Sequence, residues 1–328
     1  MAFHSIGIAA FNRFDYLWKT VESCLASSDA DFELLVLDDA STEVDAEDFY
    51  ERLKGIDSRI SVKRGVSNKG VGSRFAELQK EASGELVHML GSDDLCHPKR
   101  LERTRDYLVG RKCYRDVFCS SAKQLDAKYG MLKGPSKVYS GVEIKASLFF
   151  SPIVLHPTVT TWNAELSGLR PYREGMRAAV DYCYYVENFM DSVFVSVPDC
   201  LTYLVHSSSG ITRGKLSRCN QLAMHDYVMH RLWSKFADCR LEDISALRLL
   251  MVTDECPQIY MQSYGNERIQ GLAELVDCVL SCVMEECQEA GRGRFGRFLA
   301  STKEAEEMGM VVNGLFNMAL KRMGSLMQ

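Results

Sequence analysis

The chain has 328 residues, 46% of them hydrophobic and 25% charged, which excludes a disordered protein and allows one large domain or two. Thirty-nine Lys and Arg stand against 44 Asp and Glu, for a net charge of -5, so there is no basic excess to point to nucleic acid as a partner. The 12 cysteines are scattered with no CxxC pair, Cys278 and Cys282 being the closest two, and they read as reduced thiols. The opening MAFHSIGIAAFNR lacks the basic and long apolar regions of a signal peptide. No window approaches the ~20 continuous apolar residues of a membrane span. A cytoplasmic chain is expected.

In chain order, Ser5–Ala10 is a short apolar run that reads as a buried strand. After the polar break at Asn12–Asp15, the spacing of Leu17, Val21, Cys24 and Leu25 predicts a helix over Tyr16–Ala26. Phe32–Leu37 is a second buried strand, ending at Asp38-Asp39. A helix around Asp45–Leu53, a strand at Ile60–Lys63 and a helix over Gly70–Ala82 follow. Leu86–Leu90 is a strand ending at Gly91-Ser92-Asp93-Asp94, and Pro98 marks the start of a helix running to Val109. Asp116–Gln124 reads as a strand, Ser140–Phe150 as a helix and Ser151–Trp162 as a β-rich stretch. From about residue 215 long helical patterns dominate. The expected domains are 1–212, with a first half to about 115 and a second from 116, and a helical extension over 213–328.

Alternating strands and helices predict an α/β fold with a mostly parallel sheet and flanking helices. Such sheets bind ligands at the carboxyl ends of their strands. Asn12, Asp38, Asp39, Asn68, Asp93 and Asp94 all fall there, which points to one shared site. Carboxylates are costly to bury unless paired or holding a cation, and Mg²⁺ or Mn²⁺ suits one or two of them plus phosphate oxygens. Asp93 and Asp94 fit that task, and Asp39 can accept a hydrogen bond from the N–H of a nucleotide base. The other reading of each pair is helix capping.

These motifs together resemble the inverting glycosyltransferases of family 2, which have the GT-A fold, a Rossmann-like sheet. The family's first strand ends in a proline-small-aromatic-Asn turn, matched by Ala9-Ala10-Phe11-Asn12 with Ala9 in place of proline. Its Asp-Asp-Gly-Ser is matched by Asp38-Asp39-Ala40-Ser41, its Asn-x-Gly by Asn68-Lys69-Gly70, and its DXD-like motif by Ser92-Asp93-Asp94. Spacing and order agree over residues 3–110. The resemblance implies that Ala9, Phe11 and Asp39 surround the base, with Asn12, Asp38 and Asn68 at the same nucleotide site. It puts Asp93 near the ribose or metal, and Asp94 on the metal. Arg74 either faces the nucleotide or is a solvated surface residue.

In the family's second half, His156-Pro157-Thr158, Gly168-Leu169 and Val180-Asp181 match its His-Pro-Ser/Thr segment, glycine turn and Glu-Asp pair, with Val180 replacing the Glu. The resemblance makes Asp181 the general base, at a helix start that favours its ionised form. His206 is placed near the diphosphate or metal, and His156 and Trp162 at the acceptor. His88, inside an apolar strand, reads as a core residue.

The implied reaction is metal-dependent transfer of a sugar, with inversion, from a nucleotide-diphosphate donor to a hydroxyl of a glycan, lipid-linked or protein-linked acceptor. That is a hexosyltransferase of surface polysaccharide or glycoconjugate synthesis. UDP is the default donor nucleotide; dTDP and GDP stay open. A catalytically degenerate sugar-nucleotide-binding or scaffold protein is the alternative, given Ala9 and Val180. A nucleotidyltransferase is disfavoured because Asn12–Asp15 lacks a glycine-rich phosphate loop. The helical extension has two open roles besides packing. It can form a homo-oligomer, or Arg292, Arg294 and Arg297, interleaved with Phe295, Phe298 and Leu299, can touch the inner membrane face.

Overall fold

The structure is a computed structural model and describes residues 2–126, 132–206, 215–252, 257–288 and 302–327. The basic-aromatic stretch 292–299 lies outside the described residues. The described chain divides into two compact units. One comprises residues 1–140, 154–184 and 192–214, and the other residues 141–153, 185–191 and 215–328.

The first unit is built on a sheet of nine strands. They are β1 (His4–Ala10), β2 (Phe32–Asp38), β3 (Ile60–Arg64), β4 (Leu86–Gly91), β5 (Leu95–Cys96), β6 (Asp116–Asp126), β7 (Leu132–Lys133), β8 (Val159–Trp162) and β9 (Val193–His206). The path is β3-β2-β1-β4-β8-β6-β9-β5, with β7 beside β6. Ladders β1–β2, β1–β4, β2–β3 and β6–β9 are parallel. The sheet as a whole is mixed, because β8 runs antiparallel between β4 and β6. Its parallel half follows from the crossover helices α1 (Phe14–Leu25), α2 (Ala46–Ile56) and α3 (Val71–Glu81), which join β1, β2, β3 and β4 in turn. After β5 comes α4 (Arg100–Arg111), and the helices α6 (Ala164–Ser167) and α7 (Val180–Glu187) lie between β8 and β9.

Apolar spacing fixes how these helices dock. Leu17, Val21 and Cys24 of α1, with Tyr50 and Leu53 of α2, pack on Ile6, Ile8, Leu34 and Val36 of the sheet, all buried. Burying a large aliphatic side chain contributes about 1.5–3 kcal/mol, so this face carries much of the unit's stability. A second core cluster gathers Leu86, Leu108, Phe118, Trp162, Val197 and Leu201.

A polar chain crosses this apolar interior. His4 Nε2 lies 3.5 Å from Asp29, His4 Nδ1 lies 2.9 Å from His88 Nε2, and His88 Nδ1 lies 2.8 Å from Thr160 Oγ1. A proton on His4 Nε2, toward Asp29, leaves Nδ1 to accept from His88 Nε2–H, and His88 Nδ1 to accept from the Thr160 hydroxyl. His88 is thus a satisfied core residue. Burial lowers the His4 pKa to about 4, and burial with the nearby His4 lowers that of His88. Above pH 6.5 both rings are neutral in the folded and the unfolded chain. Below it the unfolded chain takes up protons that the fold refuses, so stability falls as pH drops from 6.5 toward 4. For His4 the loss approaches about 3 kcal/mol. Asp94→Asn removes a buried acid whose raised pKa works in the opposite sense over this range, and in that variant the thermal midpoint is expected to fall steadily between pH 7 and pH 5; an unchanged midpoint there would show that these histidines charge freely in the fold.

The second unit is helical: α5 (Gly141–Ser147), α8 (Lys215–Trp233), α9 (Leu241–Val252), α10 (Pro257–Gln288) and α11 (Thr302–Met327). It also takes in residues 141–153 and 185–191, which precede the helical extension in sequence. The reason is apolar packing. Phe149 and Phe150 meet Phe316 edge-on, Trp233 stacks on Phe316 at 5.4 Å, and Trp233 Nε1 donates to the Phe149 carbonyl at 2.6 Å. No helix among the described residues is long and apolar enough to cross a membrane.

Candidate active site

Ladder register brings the motifs together. Ala9 lies opposite both Leu37 and Gly91, and Ala10 lies opposite Asp38. Three parallel strands therefore end side by side and deliver Phe11–Arg13, Asp38–Ser41 and Gly91–Asp94 to one edge of the sheet. Asn12, Arg13 and Ala40 all have left-handed backbones, with φ of 56°, 65° and 62°. Such geometry is uncommon outside glycine and costs roughly 1–3 kcal/mol per residue, and it gathers at binding sites.

The two aspartates after β2 do different work. Asp38 is fully buried and accepts from Ser41 N at 3.0 Å, Ser41 Oγ at 2.5 Å, Tyr50 Oη at 3.0 Å and Arg64 Nε at 3.1 Å. Its oxygens are taken up in holding the turn. Asp39 accepts Lys69 N and Arg74 Nε on Oδ1, each at 2.8 Å, and Gly70 N on Oδ2 at 2.8 Å. A carboxylate offers about four acceptor positions, so one on Oδ2 is left for a further donor. Arg74 is 4% exposed, which rules out a solvated surface residue, and its guanidinium also reaches Glu77 and the Ser67 carbonyl. Ala9 is half-buried beneath this edge and Phe11 is 39% exposed.

Asn12 ties the first strand to the second. Its Oδ1 accepts from Thr42 N and Glu43 N, and its own N–H donates to Ser41 Oγ at 2.7 Å. Arg13 follows, with its backbone N–H on Glu43 and its guanidinium 2.9 Å from Asp93 Oδ2. Asp94 is 7% exposed and accepts from Val205 N at 3.2 Å. Burial, and after it the adjacent Asp93 carboxylate, push the Asp94 carboxyl up to about 7. A Cβ on Gly91 would stand 2.4 Å from Asp94 Oδ2, so glycine is what lets this carboxylate fold back over the strand end. Beneath it lies Arg100, 2% exposed and bonded to Thr202 Oγ1 and the Val159 carbonyl. His206 ends β9 directly after Val205; its side chain lies outside the described residues.

Asp181 is half-buried in the first turn of α7 (Val180–Glu187), preceded by Ala179 at φ 50°. Within its electrostatic reach are His156 and Tyr172. His156 lies in a 3₁₀ turn (His156–Thr158) with Nε2 2.7 Å from Tyr172 Oη and its ring stacked on Phe75. Tyr172 in turn stacks on Tyr184 at 4.2 Å, so these rings form packing, not an open face.

Trp162 corrects the expectation. It is 4% exposed in the second core cluster, edge-on to Tyr114, and it pairs with Leu86 at the start of β4, the end away from Asp93 and Asp94. It cannot line an acceptor pocket at this edge. Asn68, by contrast, is exposed, and both its Oδ1 and its carbonyl accept from Arg177, at 2.6 and 2.7 Å. Sequence reasoning missed Arg13 and Arg177. A cation directly after the first strand was a usable signal for Arg13; nothing local marked Arg177, which acts across 109 residues.

A strand-end site of this kind on a mixed sheet with flanking helices defines a GT-A-type domain. Residues 5–118 of this domain match Glycosyl transferase family 2. An uncharacterized glycosyltransferase of Methanocaldococcus jannaschii is 26% identical over 185 residues, 56% of this chain and 63% of that protein. The Escherichia coli UDP-Glc:alpha-D-GlcNAc-diphosphoundecaprenol beta-1,3-glucosyltransferase WfaP is 28% identical over 159 residues, 47% of this chain and 61% of that protein. The chain thus spans less than two thirds of these relatives. Among solved structures, residues 1–349 of S. aureus TarS in complex with UDP-GlcNAc share the fold with a TM-score of 0.60 at 15% identity, over 97% of this chain and 92% of that one.

Proposed function

We propose that the chain transfers a sugar from a nucleoside-diphosphate donor, UDP-linked by preference, to a hydroxyl of a glycan or lipid-linked acceptor, with inversion. The observation that carries this is Asp39. Three protein donors fix its carboxylate at the strand-end edge and leave one acceptor position, which suits the N–H of a pyrimidine base. The relatives support the donor and acceptor classes: WfaP is named for a UDP-glucose donor and a diphosphoundecaprenol-linked acceptor.

Asp94 with Asp93 would hold a divalent cation, Mn²⁺ or Mg²⁺. The residues fit: two adjacent carboxylates, one of them buried with its pKa raised by burial and by its neighbour, are a pair that a cation would stabilise. Among the described residues no cluster of three or more metal-binding side chains occurs. That suits a cation completed by diphosphate oxygens and water. When bound, the cation neutralises charge on the departing diphosphate. Arg13, paired with Asp93, brings a second positive group to the same place. Asp181 removes the proton of the acceptor hydroxyl as it attacks the anomeric carbon from the face opposite the diphosphate. No protein nucleophile is required, because the bond to the leaving group breaks as the new one forms.

Calorimetric titration of UDP in the presence of Mn²⁺ tests the donor reading. Asp39→Ala is expected to weaken UDP at least about tenfold, the loss of a charge-assisted hydrogen bond with its supporting donors. Equal affinity in the variant would remove the base from Asp39. Tight UDP binding with no turnover of any UDP-sugar would favour the scaffold alternative.

A further inference from the structure

The segment before Asp181 is fastened to the helix that serves Asp39. Tyr172 N donates to Gln79 Oε1 at 2.8 Å, Gly175 N to Ser73 Oγ at 3.0 Å, and Gly72 N donates to the Met176 carbonyl at 3.0 Å. The approach is backbone to backbone. A Cβ on Gly72 would meet the Met176 and Arg173 carbonyl oxygens at 2.6 and 2.7 Å. Residues 172–176 therefore form a strap lying along α3, from Gly72 and Ser73 in its first turn to Gln79 in its last.

Arg177 extends this strap to the nucleotide side. Its Nη1 donates to Asn68 Oδ1 and its Nη2 to the Asn68 carbonyl. One residue on, Lys69 and Gly70 present the two N–H groups that hold Asp39. Four residues beyond Arg177 is Asp181, at the start of α7. A planar fork on two acceptors of one residue fixes both distance and angle, which a single point charge does not.

Resting on the donor and base assignments above, we propose that Arg177 is a positioning residue that couples occupancy of the base subsite at Asp39 to the placement of Asp181. A base engaging Asp39 Oδ2 settles the carboxylate on the Lys69 and Gly70 N–H groups and stiffens the 68–70 turn. Arg177 passes that order along the strap to the start of α7. Coupling of this kind is reciprocal, so an ordered acceptor side also favours nucleotide. The consequence is an enzyme whose proton acceptor is in place only when donor is present.

Hydrogen–deuterium exchange of the full chain with and without UDP and Mn²⁺ tests this. In the unsubstituted chain UDP is expected to slow exchange over residues 68–74 and also over 177–182. Arg177→Ala and Arg177→Lys are both expected to keep the first effect and lose the second. At saturating donor both are expected to lower transfer roughly tenfold, the size of an ordinary coupling between sites, and reciprocity makes donor affinity weaker as well. Arg177 is exposed and the lysine variant retains its charge and stem, so misfolding does not confound the comparison. Protection of 68–74 without 177–182 in the unsubstituted chain would overturn the coupling and leave the donor assignment standing. Protection of neither would overturn both. Full protection of 177–182 in Arg177→Lys would show that the fork is not the link.

Discussion

Asp181→Asn is expected to reduce sugar transfer by roughly 10²–10⁴-fold, the usual contribution of a general base, while leaving UDP affinity within about twofold. The substitution keeps shape and hydrogen-bonding capacity but removes the ability to take a proton. Asp181 sits in the first turn of α7, where the helix N-terminus favours a carboxylate and an amide is tolerated, so the fold is not at stake. The nucleotide contacts proposed above come from other elements, the β1, β2 and β4 ends and the turn before α3, which is why binding is spared. UDP release with acceptor present, set beside calorimetric UDP affinity, measures both halves. Transfer within about tenfold of the unsubstituted enzyme would take the base role away from Asp181.

Asp94→Asn is expected to act in opposite directions on activity and stability. Metal-dependent turnover should fall by roughly 10²–10³-fold, since charge developing on the leaving diphosphate loses its counter-ion anchor. The metal-free protein, however, should become more stable. Burial and Asp93 raise the Asp94 carboxyl to about 7, so the folded chain resists ionising it. For an acid whose folded pKa lies above its unfolded one, stability is lost as pH rises from 3.8 toward 7. The cost is complete above that, at most about 4 kcal/mol. Asparagine cannot ionise and avoids that cost, while its Oδ1 can still accept from Val205 N. The thermal midpoint at pH 8 without metal should therefore rise in the variant as turnover collapses. A lower midpoint with lost turnover would mean that Asp94 is a structural residue.

That the motifs of the candidate site share one end of the sheet was legible because strand ends are legible. Apolar runs stop abruptly at Asp38-Asp39 and Asp93-Asp94, and parallel register then sets those stops side by side. What separated the two aspartates of the first pair was not local. Asp38 is saturated by Tyr50 and Arg64 from later elements, and Asp39 is held by Arg74 and the 69–70 turn. Trp162 misled because an aromatic near His156 in sequence lies at the other end of its strand in space. Ala40 stands at φ 62° where the motif it resembles carries glycine, a departure the backbone absorbs without losing the Ser41–Asp38 bond. The helical unit recruits residues 141–153 and 185–191 through Phe149 and its aromatic neighbours, and such long-range packing has no periodic signature.

A crystal structure of the chain grown with UDP and Mn²⁺ addresses the main claim most directly. The uracil ring N–H should meet Asp39 Oδ2, with the diphosphate beside Asp93 and Asp94 and facing Asp181. Nucleotide bound away from the β1, β2 and β4 strand ends, or a base turned away from Asp39, would contradict it.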